Sequence, residues 1–381
     1  MVRQCTMAVS EITAKTILRK QKRIDSWFIS CCGMNLYRGC HHNCAYCDGR
    51  AEKYRVEGEF GKDLSVKVNA IDILGRELDP ARKRKPLPRG YVFLGGGIND
   101  SYQPLEQKYN LTFRVLQLMY KYGYPLHILT KSTSVLRDID LIEEIHHRSS
   151  AIVSMSFSSV DERICRHFEP GVASPLERLD VLYRIRQRGI PIGMYLMPVI
   201  PFVTDTPKMI DRTLTAARQA GIDFVIFGGM TLKDGRQREY FVKVLREYDP
   251  GLEHQFDIIY TGERWGRAIG QYYEHLNQVF VACNRRHNLP VRIPPRLYND
   301  ILDVNNKVVV MLEHIDYIHK LNGWTSPYGY AAYRLAQVKE PLGEMRDKLR
   351  SINGVGKRIA SIVGEIIDTG SCRYLERLLR G

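Results

Sequence analysis

No run of apolar residues in this 381-residue chain is long enough to span a bilayer, which sets membrane-embedded functions aside. Residues Met1 to Ser10 lack the long apolar segment of a secretory signal, so none is expected. Acidic side chains are in short supply: 42 Asp and Glu face 56 Lys and Arg, a formal net charge of +14. That imbalance favours a polyanionic partner over a small neutral one. Nine cysteines, an odd number with three crowded into one motif, argue against a secreted disulfide scaffold and for a reducing cytoplasm. What is present is a hydrophobic fraction of 44%, enough for one large domain plus a small one. Two basic clusters stand out, Arg19-Lys20-Gln21-Lys22-Arg23 and Arg82-Lys83-Arg84-Lys85.

Cys40, Cys44 and Cys47 fall in Gly39-Cys40-His41-His42-Asn43-Cys44-Ala45-Tyr46-Cys47, a C-x3-C-x2-C spacing. Thiolates are soft ligands suited to iron–sulfur clusters or zinc. A zinc site would complete itself with His41 or His42. A four-iron cluster held by three cysteines would instead keep one iron open to a small molecule.

From about residue 90 the pattern alternates. Strands are predicted at Tyr91–Leu94, Leu126–Thr130, Ala151–Ser156, Pro191–Pro198 and Phe224–Phe227. Helices are predicted at 110–120, 136–146, 175–188 and 207–220. Short connections and continuously apolar strands imply a parallel α/β sheet curled into a full or partial (β/α) barrel. Functional groups in such folds gather at the carboxyl ends of the strands. Gly95-Gly96-Gly97, Asn99, Lys131 with Ser132, and Ser154 and Ser156 all fall at or near such ends. Glycine lets backbone approach a ligand closely, Lys131 is a point charge for a carboxylate, and the serines offer hydroxyls. Beyond Glu247 the rhythm fades, with helices expected near 272–284 and 305–321 and no chemistry assigned.

Near the end, Gly354-Val355-Gly356-Lys357-Arg358 is followed by Ile359, Ile362, Val363 and Ile366 at helical spacing. This stretch is similar to a helix-hairpin-helix element. In such elements glycines permit a tight turn and the second helix's backbone N–H groups bind a phosphate, here with Lys357 and Arg358 adding charge. Residues 341–381 hold eight Lys/Arg and five Asp/Glu.

The cysteine motif, with Tyr46 before its last cysteine, resembles that of radical S-adenosylmethionine enzymes. Gly33 to Cys40, Asn99-Asp100-Ser101-Tyr102-Gln103-Pro104-Leu105-Glu106, Thr130-Lys131-Ser132 with Arg137-Asp138, and His167-Phe168-Glu169-Pro170-Gly171 with Ser174, Arg178 and Leu179 narrow it. Together they resemble the spore photoproduct lyase–like group over residues 28 to 230. The resemblance implies a partial parallel barrel with a small all-α region after it. The domains expected are a basic extension (1–27), the barrel (28–247), a mixed helical extension (248–340) and the hairpin element (341–381). It also implies a [4Fe-4S] cluster on Cys40, Cys44 and Cys47. S-adenosylmethionine would be held by Tyr46, Gly95, Gly96, Gly97, Asn99, Lys131 and Ser156.

The implied activity is radical hydrogen abstraction from a nucleic acid, most simply DNA lesion repair. It would be fed by a reducing electron donor such as flavodoxin or ferredoxin. Radical modification of RNA or protein is the alternative enzyme. A DNA-binding protein with a structural cluster, using Cys31 or Cys32 as fourth ligand, is the alternative without catalysis. One departure is plain: the lyase has a hydrogen-donating cysteine in the loop after the glycine strand, and here no cysteine lies between Cys47 and Cys165. Cys165 and Tyr102 stand as the candidates for that role.

Overall fold

Continuously apolar segments need cover on both faces, and the fold provides it. The computed structural model describes residues 8–83, 85, 87–95 and 98–380; Gly96, Gly97 and Arg84 lie outside the described residues. Strands β1 (Ala8–Ile12), β2 (Leu18–Asp25), β3 (Ser30–Met34), β4 (Tyr37–Arg38), β5 (Asp63–Lys67), β6 (Tyr91–Leu94), β7 (Leu126–Thr130), β8 (Ala151–Phe157), β9 (Ile192–Val199) and β10 (Phe224–Gly229) form two sheets. The main sheet runs β10-β9-β8-β7-β6-β3-β2, parallel throughout except for β2, which pairs antiparallel with β3. It curls into a half-barrel. The minor sheet is β1-β5-β4. Residues 18–25, read above as part of a basic extension, therefore form the edge strand of the main sheet.

The helices are α1 (Ala70–Leu78), α2 (Glu106–Tyr109), α3 (Leu111–Tyr122), α4 (Ile139–Ser149), α5 (Glu162–Phe168), α6 (Pro175–Gln187), α7 (Pro207–Gln219), α8 (Arg236–Tyr248), α9 (Glu253–Ile259), α10 (Gly270–His287), α11 (Val304–Leu321), α12 (Tyr328–Leu335), α13 (Lys357–Thr369) and α14 (Arg373–Arg380). Their starts follow local chemistry. Ser174 and Glu177 close a capping box ahead of Pro175, Thr206 caps α7 ahead of Pro207, and Asp161 and Asp303 cap α5 and α11. Among the described residues, no helix is long and apolar enough to cross a membrane.

Helix α11 bridges the two edges of the curled sheet. His314 Nε2 lies 2.9 Å from Ser26 O beside β2, and Tyr317 Oη donates to Phe227 O in β10 at 3.4 Å. The chain leading into it crosses the amino ends of the strands: Val225 N donates to Pro290 O, and Tyr91 Oη to Leu297 O at 2.5 Å. Inside the half-barrel, Phe28, Phe93, His127 and Tyr195 pack ring to ring, with Phe28 and Tyr195 stacked at 5.3 Å. Ser154 belongs to this floor. Its hydroxyl is fully buried 2.9 Å from His127 Nε2, so it is not offered to a ligand at the strand end as expected above. Burial holds the His127 imidazole neutral, with its pKa down to about 4.

Gly95, at the end of β6, has φ +128°, and a Cβ there would stand 2.3 Å from Leu129 O of β7. Only glycine fits. Gly95→Ala is expected to cost about 2 kcal/mol or more, read as a lowered urea midpoint; an unchanged midpoint would refute this account of the strand end.

Candidate active site

The cysteine loop follows β4 through a series of tight turns. Asn43 N donates to Cys40 O, Cys47 N to Cys44 O and Arg50 N to Cys47 O, each within 3.3 Å. Gly39 and Asn43 supply the left-handed residues these turns need. Cys40 and Cys44 are buried and Cys47 half-buried, with Gly49 N donating to Cys47 Sγ at 3.4 Å. Arg50 closes the loop from below, donating to Cys44 O, with its guanidinium 3.4 Å from the Tyr240 ring centroid.

The loop sits over the carboxyl ends of the strands because it is bonded to the segments that leave them. His41 N donates to Gln103 Oε1 (2.9 Å), Asn99 Nδ2 to Tyr37 O (2.9 Å), Ala45 N to Phe168 O (2.8 Å) and Gly171 N to His42 O (3.1 Å). Gly171 must be glycine, since a Cβ would meet His41 O at 2.7 Å. His42 is held between Gly171 and Asp100. Nδ1 donates to Gly171 O at 2.8 Å and Nε2 pairs with Asp100 Oδ2 at 3.1 Å. Asp100 in turn accepts from Thr130 Oγ1 and the backbone N–H groups of Tyr102 and Lys131. Burial opposes the charge on both groups, yet each favours the other's charged form: His42 is raised and Asp100 lowered.

The centre of the site is Glu169, 2% exposed. Its Oε1 accepts from Tyr46 Oη, from Ser158 Oγ at 2.8 Å and from Lys131 Nζ at 3.1 Å; its Oε2 accepts from Arg178 at 2.8 Å. Lys131 and Arg178 also both donate to Ser156 O. Burial alone would raise this carboxyl. Lys131 and Arg178, then the Tyr46 and Ser158 hydroxyls, outweigh it and hold the pKa at about 2. Glu169 and Arg178 were quoted above only for resemblance. Their signal was a carboxylate and an arginine in one motif, and nothing local showed that they meet.

The expected site residues separate accordingly. Cys40, Cys44, Cys47, Tyr46, Lys131 and the Ser156 carbonyl converge. Asn99 is adjacent, while Gly95 serves contact with β7. Cys165 is withdrawn from solvent at the margin of this cluster: it is 3% exposed, its Sγ donates to Ser159 O at 3.3 Å and lies 3.8 Å from Ser158 Oγ, and burial pushes it up to about 11. Tyr102 is also withdrawn, 1% exposed beside Asp138 with Arg137 6.0 Å from its ring. Gly354, Gly356, Lys357 and Arg358 lie in the carboxyl-terminal helical region. The first helix expected there is a 3-10 turn, Arg346–Ser351.

A zinc ion on His42 would have to displace the Gly171 carbonyl or the Asp100 carboxylate. Among the described residues, no three His, Cys, Asp or Glu side chains gather as one ion requires. A multi-iron cluster asks for thiolates spread over separate irons. Cys31 and Cys32 are no fourth ligand, for they are buried in β3 with Cys31 Sγ 3.6 Å from Gly90 O and Tyr91 O at the amino end of β6. Burial raises all three loop thiols, Cys44 to about 12 and Cys47 to about 11, with Lys131 and Arg50 respectively pulling them back. Around the loop, Asn99 Oδ1, Ser101 Oγ, Gln103 Nε2 and His41 Nδ1 are buried without a protein partner. Three soft ligands, nearby cations and unmet polar atoms fit an iron–sulfur cluster with a polar cofactor beside it.

Residues 34–209 match the Radical SAM superfamily model, and the chain carries a radical SAM domain. An uncharacterized protein of Mycobacterium tuberculosis is 31% identical over 231 residues. That match covers 60% of this chain and 66% of the relative, just under two thirds of its length. An uncharacterized protein of Methanocaldococcus jannaschii is 28% identical over 250 residues, covering 65% and 87%. A spore photoproduct lyase variant with bound AdoMet and dinucleoside spore photoproduct shares the fold with a TM-score of 0.56 at 15% identity, covering 73% of this chain and 79% of that one. The family implies a [4Fe-4S] cluster and S-adenosylmethionine.

Two outcomes follow. Replacing Cys31 and Cys32 together by serine is expected to leave iron content and the visible spectrum of the reconstituted protein unchanged; loss of iron would restore them as ligands. Glu169→Gln is expected to cost about 3 kcal/mol, because two buried cations lose their counter-charge. The folded carboxyl lies at about 2 against its ordinary 4.5, so its stabilisation is present above pH 4.5 and lost as pH falls toward 2. Urea unfolding between pH 3 and 7 should show that acid limb in the native protein and its absence in the variant.

Proposed function

We propose that this protein is a radical S-adenosylmethionine enzyme acting on nucleic acid, with DNA lesion repair of the spore photoproduct lyase type as the best-fitting reaction. The observation that carries the reading is the three-cysteine loop, without a fourth protein ligand among the residues described around it, fastened to the buried Glu169 cluster. When bound, the reduced cluster and S-adenosylmethionine supply a 5′-deoxyadenosyl radical that takes a hydrogen atom from the substrate.

The chain's own residues supply placement. Cys40, Cys44 and Cys47 hold the cluster. Lys131 and Arg178 against Glu169 leave one surplus positive charge, which favours an anionic group such as the methionine carboxylate. Tyr46, fixed through its hydroxyl on Glu169, would offer its ring to the adenine. Asn99 Oδ1 and Ser101 Oγ offer unmet polar atoms for the rest of the cofactor. Burial of the loop keeps water from the reacting centre. The substrate reading draws on the +14 charge and the Gly354–Arg358 turn, where α13 begins without a side-chain cap and leaves backbone N–H groups for a phosphate. A base handled inside the half-barrel would have to leave its stack.

Anaerobically reconstituted, reduced protein is expected to form 5′-deoxyadenosine from S-adenosylmethionine, more so with DNA, and Cys44→Ala is expected to form none. Product from Cys44→Ala, or none from native protein with a full cluster, would sink the catalytic reading. Stimulation by RNA or a peptide in place of DNA would redirect the substrate.

A further inference from the structure

Two basic features more than 300 residues apart in sequence each lie against helix α12. β2 presents Lys22 and Arg23 at the free edge of the main sheet. The Gly354–Gly356 turn delivers Lys357 and Arg358, both exposed, at the start of α13. Helix α12 lies between them. Its Tyr333 lines a cavity of about 670 Å³ together with residues 21–27. Its Tyr330, one turn earlier, packs so closely on Gly354 that a Cβ there would come within 2.6 Å of the ring. Tyr330 is 50% and Tyr333 54% exposed, a large aromatic area left in water on one helical face.

The cavity is built for an anion beside aromatic surface. Arg292, 2% exposed, has its guanidinium 4.3 Å from the Trp27 ring centroid and 3.2 Å from that of Tyr317. In the same wall Arg23 pairs with Glu313 at 3.0 Å and Lys320 with Asp316 at 2.8 Å. Among the described residues, Lys22 and Arg292 make no ion pair with a carboxylate within 4 Å; Asp25, which lines the same cavity, still acts on Arg292, so the wall's four cations against the carboxylates of Asp25, Glu313 and Asp316 leave a net charge of +1. Asp316 Oδ1 is buried without a partner and can accept from a base N–H.

We propose that β2, α12 and the Gly354 turn form one binding surface for an unpaired stretch of DNA. Its phosphates lie on Lys22, Arg292 and the start of α13, and its bases stack on Tyr330 and Tyr333. Stacking on exposed rings between basic groups is how single strands are held without reading sequence. This inference rests on the nucleic-acid reading above and gives the partner's form. The surface lies on the side where the chain crosses the amino ends of the strands, away from the cysteine loop, so it anchors the strand and leaves the chemistry to the other end.

The test is fluorescence anisotropy of the full chain with a labelled single-stranded 20-mer and with the same sequence as duplex. The native protein is expected to bind the single strand more tightly. Replacing Tyr330 and Tyr333 together by alanine is expected to weaken that binding about tenfold or more. Lys22→Ala is expected to lower the slope of log K against log salt by about 0.7. Circular dichroism melting and DNA-independent 5′-deoxyadenosine formation should match the native protein in both variants. Native protein that binds DNA while both variants bind it equally well would overturn this surface and leave the proposed function standing. Native protein that binds neither form would overturn the nucleic-acid reading with it.

Discussion

A carboxylate buried between two cations organises the rest of this molecule. Glu169 ties Tyr46 of the cysteine loop, Lys131 from the end of β7, Ser158 from the segment after β8 and Arg178 of α6 to one point. Taking three charges out of water is expensive, and such a group is weak evidence of net stability. What it contributes is position. Four segments are held within hydrogen-bond reach of one carboxylate, and the loop carrying the three cysteines is one of them. The His42–Asp100 pair does the same on the other side of the loop, joining it to the segments after β6 and β8.

The fold divides labour between its two ends. Parallel strands bring every outgoing segment to the carboxyl end, where groups from different strands can converge. The amino end is closed by the aromatic floor around His127 and by the crossing segment and α11 that follow, which also join the free edges of the sheet. A half-barrel with an open side needs such a bridge, since β2 and β10 would otherwise present unpaired edges.

Much of this was legible in the chain. β6 and β7 match their expected spans residue for residue, because short apolar runs bounded by glycine, proline and helix caps leave little freedom. The cysteine spacing was readable because ligand chemistry dictates it locally. β2 and β3 were not read as members of the main sheet: β2 is charged along its exposed edge, and β3, with Cys31 and Cys32, is short. Ser154 alternated correctly with Ser156, yet depth in the half-barrel depends on strand register against His127 and Tyr195, which no single strand reveals. Glu169, Arg178 and Asp100 lay hidden for the same reason, their roles being defined by partners 9 to 123 residues away. Cys165 and Tyr102 were singled out by residue type, and neither their burial nor their surroundings could be read from the chain.

The central claim is that the three-cysteine loop holds a cluster whose fourth iron is free for S-adenosylmethionine. Electron paramagnetic resonance of the reduced, reconstituted protein tests it most directly, with and without S-adenosylmethionine labelled in its amino and carboxylate groups. The account predicts that the cofactor shifts the cluster signal and that hyperfine coupling to the labelled atoms appears. An identical signal with saturating cofactor, and no coupling, would contradict it.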